Sequence, residues 1–511
     1  MELPLEAGAP AFAVSRPAVV VWAGALLTVG LHLSLCGLYG YQRDELYFIA
    51  CAKHLAWGYV DQPPLIAAVA ELSLRLFGDT LAALRVLPAL AAGALVALAG
   101  LLTQRLGGGT FASAAAMLGV ALAPFDLAVG SLLTMNAFEP LLWLLLLLLV
   151  FGQIDSPRRW RWLAIGMVVG VGFLNKWSMG VFALALAAGI TLSPARRLLW
   201  RPGLGAAAAV AAAIAAPNIA WQAVHGWPQF QVVHNADHFK NEHVSAVIFV
   251  LEQLPLMNPL CAPLWIAGLY ALLRSRRYAG FALAYGVLVA AEVALHGKVY
   301  YIAPIYPGFI AVGAVAVERV TSARRWVRSS LLIGITAAGL AIAPLATPAL
   351  PLPALISYQR AIDVRTVKME NHPVGLVPQQ FADQLGWHEL EATVARAVDR
   401  LSPRERASAA ILTGDYGQAA AIDFFGRRDR LPSAISGHNQ YYLWGPHGEH
   451  AAVVAVGVRR SVLAREYRSI ERVGEYVSPY VLPQNNHLPV YVCRGPREPL
   501  ELFWRQMRDY L

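Results

Sequence analysis

The sequence predicts a polytopic α-helical membrane protein of about eleven transmembrane helices with a C-terminal extracytoplasmic α/β domain. Three observations predict it. Of 511 residues, 57% are hydrophobic and 14% charged, against about 25% charged in soluble domains, so the chain lacks the polar surface to enclose itself in water. Apolar stretches of spanning length recur through residues 1–350. From about residue 355 onward the charged residues rise and the apolar runs shorten to strand length. The 41 Lys+Arg and 32 Asp+Glu leave a net charge of +9. Because the apolar runs place most of that charge between spans, membrane topology explains it and no nucleic-acid partner is implied.

The elements follow in order. Arg16 precedes an apolar stretch, Pro17–Leu38, that is too long for a signal-peptide core and lacks a clear cleavage site; it is read as an uncleaved first helix. Further stretches fall near 82–103, 111–133, 136–153, 160–175, 178–195, 204–224, 246–273, 279–296, 301–318 and 330–348. Basic clusters separate alternate pairs, at Arg105, Arg158/Arg159/Arg161, Arg196/Arg197/Arg201, Arg274/Arg276/Arg277 and Arg324/Arg325/Arg328, and mark those turns as cytoplasmic. The other connections then face outward, and they hold nearly all of the unusual polar residues. Residues 1–350 are read as the transmembrane domain, including outer loops 39–80 and 225–245, and 351–511 as the extracytoplasmic domain. Within the latter, Ala409–Thr413 and Ala451–Val456 look like buried strands and Trp387–Leu401 has helical spacing. There is no repeat of solenoid length and no pair of matched halves of the transporter kind. The four cysteines, Cys36, Cys51, Cys261 and Cys493, are scattered and imply neither a disulfide framework nor a zinc site.

The outer connections carry the candidate chemistry. The first reads Tyr41-Gln42-Arg43-Asp44-Glu45-Leu46-Tyr47 and later Val60-Asp61-Gln62-Pro63-Pro64. Carboxylates at a membrane edge are costly unless used or paired. Asp44 either pairs with Arg43 or caps a helix starting there, or it faces a cleft as a general base. Asp61 sits in a proline-stiffened turn as a turn former, a ligand for a hard divalent ion, or a contact to substrate. Glu139, beside Pro140 at the outer mouth of a helix, complements the helix N-terminus or holds a substrate group. Lys176 in Asn175-Lys176-Trp177 either snorkels or meets substrate. The 225–245 loop holds His225, His234 and His238; four-residue spacing between the last two allows a metal site if the segment is helical, so a divalent metal is a candidate cofactor. Lys298, followed by Tyr300, Tyr301 and Tyr306, is suited at headgroup depth to a lipid-linked phosphate, although tyrosines alone would serve as an interfacial belt.

Taken together, Arg43-Asp44-Glu45, the Asp61-Gln62-Pro63-Pro64 turn, the Lys176-Trp177 turn and the Lys298-to-Pro307 segment resemble the GT-C superfamily, and most nearly bacterial glycosyltransferase family 39, relatives of the protein O-mannosyltransferases and the lipid A aminoarabinose transferase. The resemblance is strongest over 39–320 and extends weakly to Leu412-Thr413-Gly414-Asp415-Tyr416-Gly417 and Ser436-Gly437-His438-Asn439. It implies a GT-C-type enzyme of the inner (plasma) membrane that moves a sugar from a polyprenyl-phosphate donor to a lipid, glycan or protein acceptor on the extracytoplasmic side, usually with inversion. On that basis Asp44, Glu45 and Glu139 are the catalytic candidates, with Glu45 supporting the loop. Arg43, Asp61, Lys176, Lys298 and Tyr301 are the substrate-binding candidates, the lysines neutralising the departing lipid phosphate. Some relatives carry Glu-Lys where this chain has Asp61-Gln62, which leaves metal dependence open. The readings from other classes are a transporter or flippase of lipid-linked material and a non-catalytic envelope assembly protein. The first calls for ionisable groups near the bilayer midplane, whereas here they cluster at the outer edge.

Overall fold

The computed structural model describes residues 16–363 and 370–511. Its contacts divide the chain into two compact units. The first comprises residues up to Leu38, Ser73–Ala220 and His243–Leu350; the second comprises Tyr39–Leu72, Trp221–Glu242 and Pro351–Leu511. Most of the two segments expected as outer loops of the helical domain therefore group with the C-terminal part of the chain.

The first unit is helical. Leu81–Arg105, Met135–Asp155, Pro202–Val224, Val299–Val320 and Arg325–Ala346 are long and apolar enough to cross a membrane. Val19–Leu35, Thr110–Ala121, Ser178–Thr191 and Ala279–Ala294 are shorter apolar helices. This is a multi-pass membrane protein. Two expected spans are interrupted. The stretch near 111–133 ends as a helix at Ala121 and restarts at Pro124, because proline disfavours helical backbone in the residue before it. The stretch near 246–273 is bent by 95° between Ala246–Leu256 and Pro259–Arg274. At that break Asn258 takes a positive φ of 62°, its side chain accepts the Leu260 N–H at 3.1 Å and donates to the Ile335 carbonyl at 3.0 Å, and Pro259 starts the next turn.

Small residues set how closely these helices approach. A Cβ on Gly268 would lie 2.0 Å from the Phe309 carbonyl oxygen, and one on Gly313 would lie 1.7 Å from that of Leu264. Ala262–Arg274 and Tyr306–Val320 therefore meet backbone to backbone, as small-residue membrane interfaces do. Stacked rings fill the wider gaps, Trp143 on Phe182 and Phe151 on Phe281, both with centroids 4.0 Å apart.

The second unit is built on a five-stranded sheet in the order β2-β1-β3-β5-β4, with β1 Ala410–Thr413, β2 Ala434–Ser436, β3 Ala452–Val456, β4 Tyr467–Tyr476 and β5 Leu488–Pro496. β2, β1 and β3 are parallel, while β5 pairs antiparallel with both β3 and β4. Every residue of β1, β2 and β3 is buried, which is why they read as continuous apolar runs. The two expected strands are β1 and β3, and the expected helix is Trp387–Val398. The chain reverses across β1 between β2 and β3, so the loops leaving the carboxyl ends of β1 and β2 lie where open α/β sheets place their sites.

Candidate functional site

In the second unit, Gln42 starts the helix Arg43–Lys53. Its side chain accepts the Asp44 N–H at 2.6 Å, and the Glu45 carboxylate returns to the Gln42 N–H at 2.8 Å, closing a capping box. Glu45 is fully buried. One Glu45 oxygen thus holds the start of this helix by accepting an otherwise unpaired backbone donor.

Asp44 is presented instead, with its side chain 34% exposed. Its Oδ1 accepts the Tyr416 hydroxyl at 2.8 Å and lies 3.5 Å from Arg43 Nε. Arg43 is also 5.3 Å from the centroid of the Tyr416 ring. Burial opposes the charge of Arg43, but Asp383, Tyr416 and Asp44 outweigh it and raise its pKa above the usual arginine value. The pairing with Arg43 and the presentation of Asp44 thus occur together. Tyr416 begins the helix Tyr416–Phe425, capped by Asp415, directly after β1. Asp383 is buried and its pKa is pushed up to about 6 by burial, against the pull of Arg43.

Asp61 is gripped from several directions. Its Oδ1 accepts the Tyr47 hydroxyl at 2.8 Å, Oδ2 accepts from Asn439 Nδ2 at 3.1 Å, and its carbonyl accepts from Gln229 Nε2 at 3.3 Å. The neighbouring Tyr59 carbonyl takes Gln222 Nε2 at 3.0 Å, and the Val60 N–H donates to Gln440 Oε1 at 3.1 Å. Burial raises the Asp61 pKa to about 6, with the Tyr47 hydroxyl working against the rise. Both oxygens already hold neutral donors, a poor arrangement for a hard divalent ion.

The three histidine candidates are exposed. His225 stacks on Trp221 at 4.0 Å with Nδ1 on the Trp221 carbonyl at 2.8 Å. His234 and His238 are brought together, rings 4.3 Å apart, but His238 Nδ1 lies 2.8 Å from the His234 carbonyl. Among the described residues, His225, His234 and His238 do not converge as a three-ligand set. Backbone carbonyls stand against Nδ1 of His225 and of His238.

The remaining candidates lie in the first unit. Lys176 closes the helix Arg159–Asn175 and sends Nζ to Glu139 Oε2 at 2.9 Å and Asn136 Oδ1 at 2.8 Å. The Ser178 hydroxyl donates to the other Glu139 oxygen. Nζ also lies 4.7 Å from the Tyr301 ring centroid and 5.9 Å from that of Tyr300. Burial pulls the Lys176 pKa down and Glu139 more than restores it, for a net rise. Glu139 is 2% exposed. The two charges expected to meet substrate therefore neutralise each other. Lys298 precedes the short helix Val299–Ile305 and is partly exposed. Glu292 joins this group through its electrostatic interaction with Lys176 and Glu139. Sequence reasoning passed over it, although a lone carboxylate in the run Ala290-Ala291-Glu292-Val293-Ala294 was a signal.

The profile of the dolichyl-phosphate-mannose-protein mannosyltransferase family matches residues 61–221. Comparison with curated proteins finds no match. Among solved structures, ArnT from Cupriavidus metallidurans bound to undecaprenyl phosphate is similar at a TM-score of 0.58 and 15% identity, covering 95% of this chain and 100% of that one. The chain has the GT-C fold. The apo state of the same ArnT is similar to this GT-C chain at a TM-score of 0.59 and 15% identity, over 94% of this chain and 99% of that one. Arabinofuranosyltransferase AftD from Mycobacteria is similar at 0.53 and 13% identity, over 95% of this GT-C chain and 40% of AftD.

Proposed function

We propose that this GT-C chain is a glycosyltransferase of the inner (plasma) membrane that moves a sugar from a polyprenyl-phosphate donor to an extracytoplasmic lipid, glycan or protein acceptor, with inversion at the sugar carbon. The observation that carries the reading is Asp44. Its carboxylate stands on a capped, buried helix, remains one-third open to solvent, and is aimed by a hydroxyl from a different part of the chain. A general base needs such a fixed, accessible carboxylate. Similarity to ArnT, a structure described with undecaprenyl phosphate bound, supports the donor class.

In this reaction the acceptor oxygen attacks the anomeric carbon through an oxocarbenium-like state while the bond to the lipid phosphate breaks, and Asp44 takes the acceptor proton. The phosphate leaves as an anion, so no general acid is required. Lys298 answers the growing negative charge; Lys176 is already neutralised by Glu139. Arg43 and Tyr416 hold Asp44, and Asp61 fixes its turn. Tyr301 stays with the first unit's polar group, its ring centroid 4.7 Å from Lys176 Nζ.

The test is release of free polyprenyl phosphate by purified protein in detergent from a panel of polyprenyl-phosphate sugars, with and without chelator. Release from one donor, lost in Asp44→Asn and unchanged by chelator, is the expected result. Wild-type turnover in Asp44→Asn would remove the base, and a chelator-sensitive rate restored by Mg2+ would install a metal. No release from any donor by folded protein would favour transport or assembly.

A further inference from the structure

A second polar site uses none of these residues. At one end of the first unit, the arginines Arg197, Arg201, Arg276 and Arg277 line a cavity of about 220 Å³ together with Gln153 and Ile154. They come from separate connections: Arg197 and Arg201 from the segment before the helix Pro202–Val224, Arg276 and Arg277 from the turn after Ala262–Arg274, and Gln153 and Ile154 from the end of Met135–Asp155. No carboxylate lines the cavity. The nearest in sequence, Asp155, is already engaged by Arg105 at 3.4 Å, Arg277 at 3.8 Å and the Tyr278 hydroxyl. Arg277 also donates to the Ile154 carbonyl at 2.9 Å. The positive-inside rule accounts for arginines in each turn. It does not require turns distant in sequence to converge on one cavity, where Arg277 alone of the four has a carboxylate beside it among the described residues.

The setting specifies the ligand further. Two membrane-length helices end or begin at the cavity, one finishing at Asp155 and one starting at Pro202. Leu192 and Trp200, on the same connection as Arg197, are 69% and 86% exposed, as side chains facing acyl chains would be. A basic pocket with an apolar flank at the end of spans suits a headgroup phosphate, and guanidinium forks match its oxygens in pairs.

We propose that this cavity binds the phosphate of an anionic membrane lipid, of the phosphatidylglycerol class. The shared chemistry, a phosphate ester between arginines, would also admit free phosphate, and the experiment separates the two. Full-length protein in detergent is titrated with phosphatidylglycerol, with phosphatidylcholine of the same acyl chains, and with inorganic phosphate, and binding is read by native mass spectrometry. Phosphatidylglycerol is expected to be retained over phosphatidylcholine, and the R197Q/R201Q/R276Q variant to weaken it about a hundredfold, at roughly fivefold per arginine. R276Q alone, expected to weaken it about fivefold, keeps the test usable if the triple variant fails to fold. A control variant, R459Q/R460Q/R468Q in the second unit, should bind as wild type. Equal retention of both lipids, or an unchanged triple variant, overturns the proposal. Displacement of the lipid by equimolar inorganic phosphate would also overturn it, marking a site for soluble phosphate.

Discussion

The buried pair Glu139–Lys176 gives the sharpest test of what the polar residues of the helical unit are for. Nζ and Oε2 are 2.9 Å apart, with side chains 18% and 3% exposed. Coulomb attraction at that separation is about 6 kcal/mol at an effective dielectric near 20, most of it offset by desolvation of both ions. Lys176→Met would leave Glu139 buried with only the Ser178 hydroxyl for its charge, and stranding one member of a buried pair costs about 3–5 kcal/mol. Glu139→Gln with Lys176→Met removes both charges and should recover most of that loss, because the amide can still accept from Ser178. Thermal unfolding in detergent, followed by tryptophan fluorescence because Trp143 stacks near this pair, is the assay for all three variants. The expected coupling between the two substitutions is about 2–4 kcal/mol. A Lys176→Met protein within about 0.5 kcal/mol of wild type would refute the argument. A double variant that is stable yet has lost donor release would instead return these residues to catalysis.

Three other outcomes follow from the second unit. Tyr416→Phe removes the hydroxyl that aims Asp44 and should lower kcat about tenfold, worth about 1–1.5 kcal/mol, with KM for the donor nearly unchanged; equal kcat would make the contact incidental. Burial raises the Asp383 pKa from its ordinary 3.8 to about 6 in the folded state, so the folded state holds its proton more tightly, and its stabilising contribution is full below about pH 4 and lost as pH rises through 6. Asp383→Asn should therefore match wild type in unfolding free energy near pH 4 and exceed it by up to about 3 kcal/mol at pH 7, whereas a gain independent of pH would contradict the linkage. Because Cys36, Cys51, Cys261 and Cys493 are all buried, wild type should resist an impermeant maleimide, and Arg459→Cys, exposed at the end of β3, should be labelled from outside intact cells; labelling only after permeabilisation would place this unit in the cytoplasm.

Periodicity made the helices legible because lipid imposes one requirement on every span, apolar residues over the length of the bilayer. It concealed the breaks at Ala123-Pro124 and Asn258-Pro259, since a proline can also sit inside a helix, as Pro88 does within Leu81–Arg105. Burial likewise exposed β1 and β3 to sequence reading and hid β4, whose residues Arg468–Gly474 are all exposed or half-buried and so resemble any polar connection. The first-loop acids were legible as a cluster but not by role. Glu45 and Asp44 are adjacent, and only the direction of the Gln42 cap decides that one turns inward and the other out.

The longest step from sequence to site was the tail. Gly414-Asp415-Tyr416-Gly417 reads as a tight turn, and Ser436-Gly437-His438-Asn439 offers only a weak resemblance to the family. Each leaves the carboxyl end of a parallel strand, β1 or β2, and each delivers one donor to an acid of the first loop, Tyr416 to Asp44 and Asn439 to Asp61. The two acids lie about 370 residues upstream in sequence of the groups that orient them, so no local pattern could have joined them. Sequence predicted a separate domain beginning at 351, yet the carboxylates proposed for chemistry share a compact unit with that domain. Positions 416 and 439 therefore orient the two acids, and under the proposed reaction they are positioning residues. Substitutions there should be read by rate and pH profile, with protein yield serving only as a control.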